Sequence, residues 1–249
     1  MTPAEWVEAI GAHSTPEDVA PLLDHPDTDE AHLLKLLRKR ELPSSVIEAL
    51  ARHERWDGQH SVRAAIVLHA KTPRTLSLRL LSLLRWRDQL RVAMEMRLHM
   101  PLRVAAESRL RERLPELELG ERISLARNAP PGLLSVLARD ESHRVVAALL
   151  SNPRLLEVDV ISIVRREKTH PEILRVVAAS ERWVARPAVR AGLLSHPRTP
   201  VHSALKLLSA LSTGEIRKLL HQKPLAPIVR FRAERLLSGE ITSGRRRLR

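Results

Sequence analysis

The sequence predicts an all-α protein in which short helices stack into an α-solenoid, a superhelix of repeated layers. Three observations lead to this fold class. The apolar residues are nearly all aliphatic, prolines divide the chain into short amphipathic segments, and one long segment recurs 127 positions further on. Short helices that cannot bury their apolar faces alone are typical of repeat proteins, in which neighbouring layers cover one another.

The first observation concerns the residues available for a core. Of 249 residues 43% are hydrophobic, yet there is no Tyr, one Phe (Phe231) and four Trp, so Leu, Val, Ala and Ile must fill the interior. Small aliphatic side chains suit closely packed helices, whereas a β-sandwich would draw on aromatic residues and alternating patterns. Cysteine is absent, which excludes disulfides, iron–sulfur clusters and thiol chemistry.

The second observation is the set of helix starts, where a capping residue precedes proline. Proline fits the first helical position because its missing N–H would be unpaired there in any case. Thr2 and Glu5 form a predicted capping box. With about 15 residues for each helix and its connection, we expect some 15 helices. The predicted starts of this kind are Thr2-Pro3, Thr15-Pro16, Thr72-Pro73, His170-Pro171 and Thr199-Pro200.

The third observation is a tandem duplication. When the chain is shifted by 127 residues, Glu54-Arg55-Trp56 falls on Glu181-Arg182-Trp183, and fourteen of the 31 positions from 54 to 84 are identical. Chance would give about three matches in a chain of this composition. The predicted organisation is a single α-solenoid domain over 1–242, with an acidic N-terminal cap (1–24), a first duplicated half (25–110), intervening repeats (111–151), a second duplicated half (152–237) and a basic disordered tail (243–249).

One segment carries a resemblance to a known family. Residues 140–153, DESHRVVAALLSNP, resemble the second helix of HEAT-like repeats and of their leucine-rich repeat variant, and weaker Val-Arg-Ala copies recur along the chain. The resemblance implies a right-handed stack of helix pairs that offers a binding surface and no reaction. Some leucine-rich repeat variant proteins carry a cysteine-ligated cluster, which a chain without Cys cannot hold.

Charge is distributed unevenly. Residues 1–30 hold eight acids and no Lys or Arg, a charge of −8. Because the net charge of the whole chain is +13, the remaining residues carry 13 − (−8) = +21. The acidic start is interpreted as the polar end-cap that a repeat stack needs. Alternatively, it neutralises the basic body or meets the basic end of a second copy, in head-to-tail self-association.

A row of arginines is the first candidate binding face. In stacked layers, equivalent side chains form a ladder at the 8–10 Å spacing of packed helices. Such a row suits a polyanion or an acidic partner surface. The alternative is that each Arg pairs with an acid of the adjacent repeat. The recurrent arginines of the Val-Arg-Ala pattern are Arg63, Arg103, Arg144, Arg175, Arg190 and Arg230.

A second candidate is the Arg85-Trp86-Arg87 run, which joins an aromatic face to two cations and could stack a nucleobase. The alternative is a Trp that fills a gap between helices. Trp56 and Trp183 recur in both halves and are interpreted as packing residues.

Enzyme motifs are missing. The eight glycines lie singly, without phosphate-loop spacing, and neither Gly-x-Ser-x-Gly nor His-Glu-x-x-His occurs. Histidines that precede prolines, such as His25, His170 and His196, are predicted to act in turns and caps, because equivalent residues in stacked layers stay too far apart to share a metal. No catalytic residue, metal or cofactor is therefore predicted. An acidic N-terminus without a long apolar run predicts a cytoplasmic protein with no membrane insertion.

Two functions are the main ones that the sequence leaves open, and a soluble hydrolase with an unrecognised pair of carboxylates in a cleft is a third, weaker one. The first is a non-enzymatic repeat scaffold that binds another protein, one with an acidic surface, through a curved helical face. The second is nucleic-acid binding in a basic groove. A DNA glycosylase-like repair role is the weaker version of this second function, because such sites need aromatic residues and a carboxylate around a displaced base.

Overall fold

The computed structural model describes residues 1–222 and 225–246, and throughout these residues the regular structure is helical, without a strand. The all-α prediction is confirmed. None of the described helices combines the length and apolar character needed to cross a membrane. The chain divides into two compact units, Met1–Glu116 and the residues from Leu117 onwards, where the sequence predicted one continuous domain.

Unit 1 contains nine helices that are mostly seven to ten residues long, and a 3-10 turn at Leu114–Glu116. Contacts link α1 with α3, α3 with α6 and α6 with α8, while α2 packs on α4 and α7 on α9. Helices whose numbers differ by two or three are thus lateral neighbours. The helices are α1 (Pro3–Ala9), α2 (Pro16–Asp24), α3 (Glu30–Leu36), α4 (Ser44–Arg52), α5 (Glu54–Asp57), α6 (His60–Leu68), α7 (Arg74–Leu81), α8 (Trp86–Met94) and α9 (Met100–Arg113).

Unit 2 contains ten helices in its described part. Contacts link α10 with α12, α12 with α14, α14 with α17 and α17 with α19, while α13 packs on α16. The helices are α10 (Leu119–Asn128), α11 (Pro131–Leu137), α12 (His143–Leu150), α13 (Glu157–Arg165), α14 (Pro171–Ala179), α15 (Glu181–Val184), α16 (Pro187–Ser195), α17 (Val201–Ser209), α18 (Thr213–Gln222) and α19 (Pro227–Arg246). Helix α19 includes 243–246, the first part of the segment expected to be disordered; 247–249 lie outside the described residues.

The core is aliphatic, as the composition predicted. Leu, Val, Ile and Ala make up most of the buried side chains, and the tryptophans Trp56, Trp86 and Trp183 join them at 5%, 7% and 3% exposure. The packing role expected for Trp56 and Trp183 is confirmed.

Three of the predicted helix starts are confirmed and two are wrong. Thr2 accepts a hydrogen bond from the Glu5 amide, Thr15 donates its amide hydrogen to Asp18, and His170 accepts from the Glu172 amide. Thr72 and Thr199, however, are not caps. The backbone turns them inward, where their hydroxyls donate to carbonyls of the preceding helix, and the prolines that follow them occupy the cap position.

The one-turn helices α5 and α15 hold the ends of earlier helices through their tryptophans. Trp56 Nε1 donates to the carbonyl of Leu23, near the end of α2, at 3.2 Å, and Trp183 Nε1 donates to that of Leu150, the last residue of α12, at 2.9 Å. The last four carbonyls of a helix lack intrahelical partners, so an indole N–H supplies one. The two bonds lie 127 positions apart.

The arginines that precede these tryptophans donate to backbone carbonyls in the loops that follow α2 and α12. The Arg55 guanidinium donates to the carbonyls of His25 at 2.8 Å and Thr28 at 2.7 Å, and that of Arg182 donates to the carbonyl of Asn152 at 3.2 Å. Each guanidinium also lies over the ring of the next residue, at 4.5 Å and 4.4 Å. Each Arg-Trp pair therefore caps backbone carbonyls and also forms a cation–π contact.

Histidines donate to backbone carbonyls in the loops that follow α3 and α13. His69 Nε2 donates to the carbonyl of Lys39 at 3.0 Å, and His196 Nε2 donates to that of Arg166 at 3.1 Å. In both rings Nδ1 accepts the backbone N–H two residues on, so the hydrogen is on Nε2. His25 Nδ1 likewise accepts from a backbone amide. The turn and cap roles predicted for His25, His170 and His196 are confirmed.

One glycine is required by close packing. Gly192 lies in α16, where an added Cβ would stand 2.7 Å from Cγ2 of Val164 in α13. Val164 is 1% exposed and β-branched, so it has little room to turn away.

We expect Gly192→Ala to lower the free energy of unfolding. Overpacking costs about 1–3 kcal/mol, and the better helix propensity of Ala returns up to about 1 kcal/mol, which leaves a net loss. Chemical denaturation measures it. Gly120→Ala in α10, where no atom lies within 4 Å of the new Cβ, is the matched control and should be neutral or stabilising. Equal effects of the two substitutions would contradict the close approach of α13 and α16.

We expect Trp56→Phe and Trp183→Phe to destabilise the protein by similar amounts. Each leaves a helix-end carbonyl without its donor, a loss of about 1–3 kcal/mol. Denaturation followed by circular dichroism gives the values. If either variant is as stable as the wild type, water replaces the indole as the hydrogen-bond donor at that site.

Candidate functional site

Unit 1 contains an open groove bounded by α3, α6, α8 and the loops that follow them. Its volume is about 650 Å³, within the range of sites that hold a small molecule or a peptide segment. We call it the unit 1 groove. Its apolar floor is formed by Leu34, Leu37, Ala64, Ala65 and Leu68. Its polar residues include Arg38, Arg40, His60, Asp88, Arg91 and Arg97.

Two floor residues are larger than the residues that stand 127 positions later in the sequence. Ala65 and Leu37 line the groove. Their counterparts at that offset are Gly192 and Val164, and a Cβ added at Gly192 would stand 2.7 Å from Val164.

Acidic side chains neutralise part of the arginine charge in the groove. Asp88 lies 2.7 Å from His60 Nε2 and 3.0 Å from a nitrogen of Arg91. Beside it, the guanidinium of Arg97 binds Glu95 through two hydrogen bonds of 2.9 Å.

The Glu95 carboxylate belongs to this electrostatic arrangement. Hydrogen bonds from the side chain and backbone of Arg97, with the nearby charge of Arg40, lower the pKa of Glu95 to about 2, and burial opposes them only in part. Glu95 is therefore ionised at neutral pH and offsets the charge of Arg97.

Two exposed arginines of the groove, Arg38 and Arg40, form no ion pair among the described residues, although the charge of Arg40 acts on Glu95. Four arginines against Asp88 and Glu95 leave the groove a net charge of 4 − 2 = +2. The groove thus presents a net positive charge beside an aliphatic floor. That combination fits a ligand with carboxylates and an apolar side chain.

The recurrent arginines predicted as a binding face are placed differently. Arg63, Arg103 and Arg190 are half-buried. Arg63 donates to the carbonyl of Asp57, Arg103 contacts a methionine sulfur at 2.8 Å, and Arg190 pairs with Glu215 at 2.8 Å. One nitrogen of each guanidinium is thus bound within the protein, but only Arg190 pairs with an acid, as the alternative interpretation proposed.

The other three recurrent arginines are exposed and belong to unit 2. Arg175 forms an ion pair with Glu172 at 2.7 Å, which lowers the pKa of Glu172. Arg144 in α12 and Arg230 in α19 have no acidic partner within the described chain. Of the six arginines, these two offer free charge.

The Arg85-Trp86-Arg87 run begins α8. Trp86 is 7% exposed, and Arg87 lies over its ring at 5.3 Å, while Arg85 is exposed at the cap position. The ring therefore offers little surface for stacking a nucleobase, and its place in the core agrees with a gap-filling residue.

The sequence did not single out Arg38, Arg40 or Arg97. Arg38-Lys39-Arg40 is a visible basic run, but nothing in its spacing shows that it meets a loop almost sixty residues later. Only the lateral packing of α3, α6 and α8 brings these side chains together.

No group of three or more His, Asp or Glu residues in the described ranges is arranged to hold a metal ion. Comparison of the chain with protein-family models, with curated proteins and with solved structures gives no match.

Proposed function

We propose that the chain is an α-solenoid made by tandem duplication, in which α1–α9 correspond to α11–α19. Shifted by 127 positions, several lateral contacts of one series have a counterpart in the other: α2 with α4 and α12 with α14, α3 with α6 and α13 with α16, α7 with α9 and α17 with α19. The tryptophan, arginine and histidine caps also recur at this offset.

The spacing of long-range hydrogen bonds supports the solenoid. Lys39 reaches the carbonyl of Ile10 over 29 residues, Lys71 that of Glu41 over 30, and Arg113 that of Leu84 over 29. In unit 2, caps span 28 to 30 residues in the same way. A uniform step of about one helix pair is what stacked repeats produce, since each layer contacts its neighbours.

We propose further that this solenoid is a non-enzymatic scaffold whose unit 1 groove binds an acidic segment of another protein. The carrying observation is the pair of exposed arginines, Arg38 and Arg40, which form no ion pair in the described chain and line the groove beside its aliphatic floor. Arg38 recurs 127 positions later as Arg165, but the charge of Arg40 is not demanded by the repeat, because its position is Glu167 in the second half and that of His60 is Pro187. Residues that depart from the repeat pattern at an open groove favour recognition over packing.

A peptide suits the unit 1 groove better than a nucleic acid does. Over residues 1–116, 18 basic side chains face 17 acidic ones, a net charge of +1, so unit 1 as a whole does not attract a long polyanion. Short acidic segments with an apolar residue gain from both the floor and the two arginines. The proposed location remains the cytoplasm.

Nucleic-acid binding is the second candidate, and it belongs to unit 2. From residue 117 onwards 24 basic side chains face 12 acidic ones, a net charge of +12, and Arg144 and Arg230 are free of acidic partners in the described part. Binding of this kind would weaken steeply with salt, by about 0.9 logarithmic units per phosphate contacted.

The double substitution Arg38→Glu/Arg40→Glu tests the scaffold function. Affinity capture from nuclease-treated cell extract, quantified by mass spectrometry, should yield a set of proteins with the wild type that this variant retains at least about tenfold less well, because reversed charges repel an acidic segment. A synthetic peptide from a captured protein then gives the affinity by fluorescence anisotropy.

Arg74→Glu/Arg79→Glu on α7 is the matched control, with the same change of charge at two exposed arginines outside the unit 1 groove. It should capture the wild-type set. If the groove variant and the wild type capture the same proteins, the proposed site is wrong. If capture disappears on nuclease treatment, unit 2 and nucleic acid become the better explanation.

A further inference from the structure

A second cavity lies at the N-terminal end of unit 1, outside the unit 1 groove. It has a volume of about 420 Å³ and is formed by α1, the loop after it and the start of α2. Half-buried Trp6 and the aliphatic Ile10 line it, with Ala9 and Ala12 at its exposed edge and Asp18 beside them. We call it the Trp6 cavity.

The surroundings of the Trp6 cavity are acidic. The first 30 residues contain eight carboxylates and no Lys or Arg, although Lys35 pairs with Glu8 and Lys39 donates to the carbonyl of Ile10. Asp18 lines the opening, and both it and the adjacent Glu17 are exposed. A hydrogen bond from its own backbone amide, with another from Thr15, lowers the pKa of Glu17 and favours its charged form. The cavity therefore combines an apolar interior with a negative rim.

Unit 2 carries a surface of the opposite character on α19. Phe231, the single phenylalanine of the chain, is 57% exposed, and Ile228 one turn earlier is 47% exposed. Arg230 and Arg232 are exposed beside them, and the guanidinium of Arg235 lies 6.0 Å from the Phe231 ring. We call these residues the Phe231 patch. An exposed aromatic residue ringed by arginines is a common composition for the centre of a protein interface.

We propose that the Phe231 patch of one molecule docks in the Trp6 cavity of a second copy of the same chain. An apolar side chain fills an apolar cavity, and the basic residues around it face the acidic rim. The two surfaces therefore match in both apolar character and charge. The Phe231 patch, at the end of the described chain, and the Trp6 cavity, at its start, are different surfaces of one protein. The contact is therefore heterologous, and each added molecule leaves one patch and one cavity free.

The second copy is favoured over a foreign partner by the charge pattern. An acidic start and a strongly basic unit 2 in one chain neutralise each other across such a contact. The proposed contact shares no residue with the unit 1 groove, so it can be tested independently of the scaffold function.

Sedimentation velocity of the full chain over a wide concentration range tests the proposal. The wild type should form species that grow with concentration past a dimer, and added salt should weaken them. Phe231→Ala removes the anchor, and Ala9→Arg fills the edge of the cavity with a positive charge; each should weaken association at least about tenfold. Val158→Ala, at another exposed apolar residue of unit 2, should associate like the wild type.

Mixing the two defective variants gives the sharpest result. Phe231→Ala retains an intact cavity and Ala9→Arg an intact patch, so the mixture should form a one-to-one dimer that does not grow further. Circular dichroism checks that both are folded, and Ala12→Arg replaces Ala9→Arg if helix content falls. A wild type that stays monomeric, a Phe231→Ala variant that associates normally, or a mixture that stays monomeric would each overturn the proposal.

Discussion

The hydrogen bonds at helix ends are the constraint on which this structure depends. Helices of seven to ten residues leave the last four carbonyls without intrahelical partners, so a large share of the backbone acceptors must be satisfied from elsewhere. Side chains from helices or loops about 30 residues later supply some of the donors, as Lys39 does for Ile10 and Trp56 does for Leu23. These bonds join each helix pair to the next, in addition to the aliphatic contacts between them.

The features that the sequence predicted are those that depend on local pattern. Thr2 with Glu5 and His170 with Pro171 mark their helices because a cap and its partner lie within three residues. Thr72 and Thr199 show the limit of that reasoning. Their hydroxyls find carbonyls six residues back in the preceding helix, and this inward turn depends on tertiary packing that a Thr-Pro pair does not reveal.

The candidate site was harder to predict because several of its residues do not follow the sequence pattern that recurs 127 positions apart. The arginines of the Val-Arg-Ala pattern follow it, and two of them, Arg63 and Arg190, bond within the protein. Arg40 and His60 do not recur, so the pattern that revealed the architecture gave them no weight. A comparison of residues 127 positions apart for differences in charge would have pointed to them.

The capping side chains also bear on the basic composition of the chain. Seven cationic residues in the described ranges donate to backbone carbonyls 28 to 30 residues earlier: Lys39, Arg55, Lys71, Arg113, Arg166, Arg182 and Arg198. A carbonyl oxygen accepts the bond but carries no formal charge, so such a contact uses a cationic side chain without requiring an acid as its partner. Part of the basic composition thus serves to hold the fold together, and a high isoelectric point is weak evidence for a polyanionic ligand in proteins built this way.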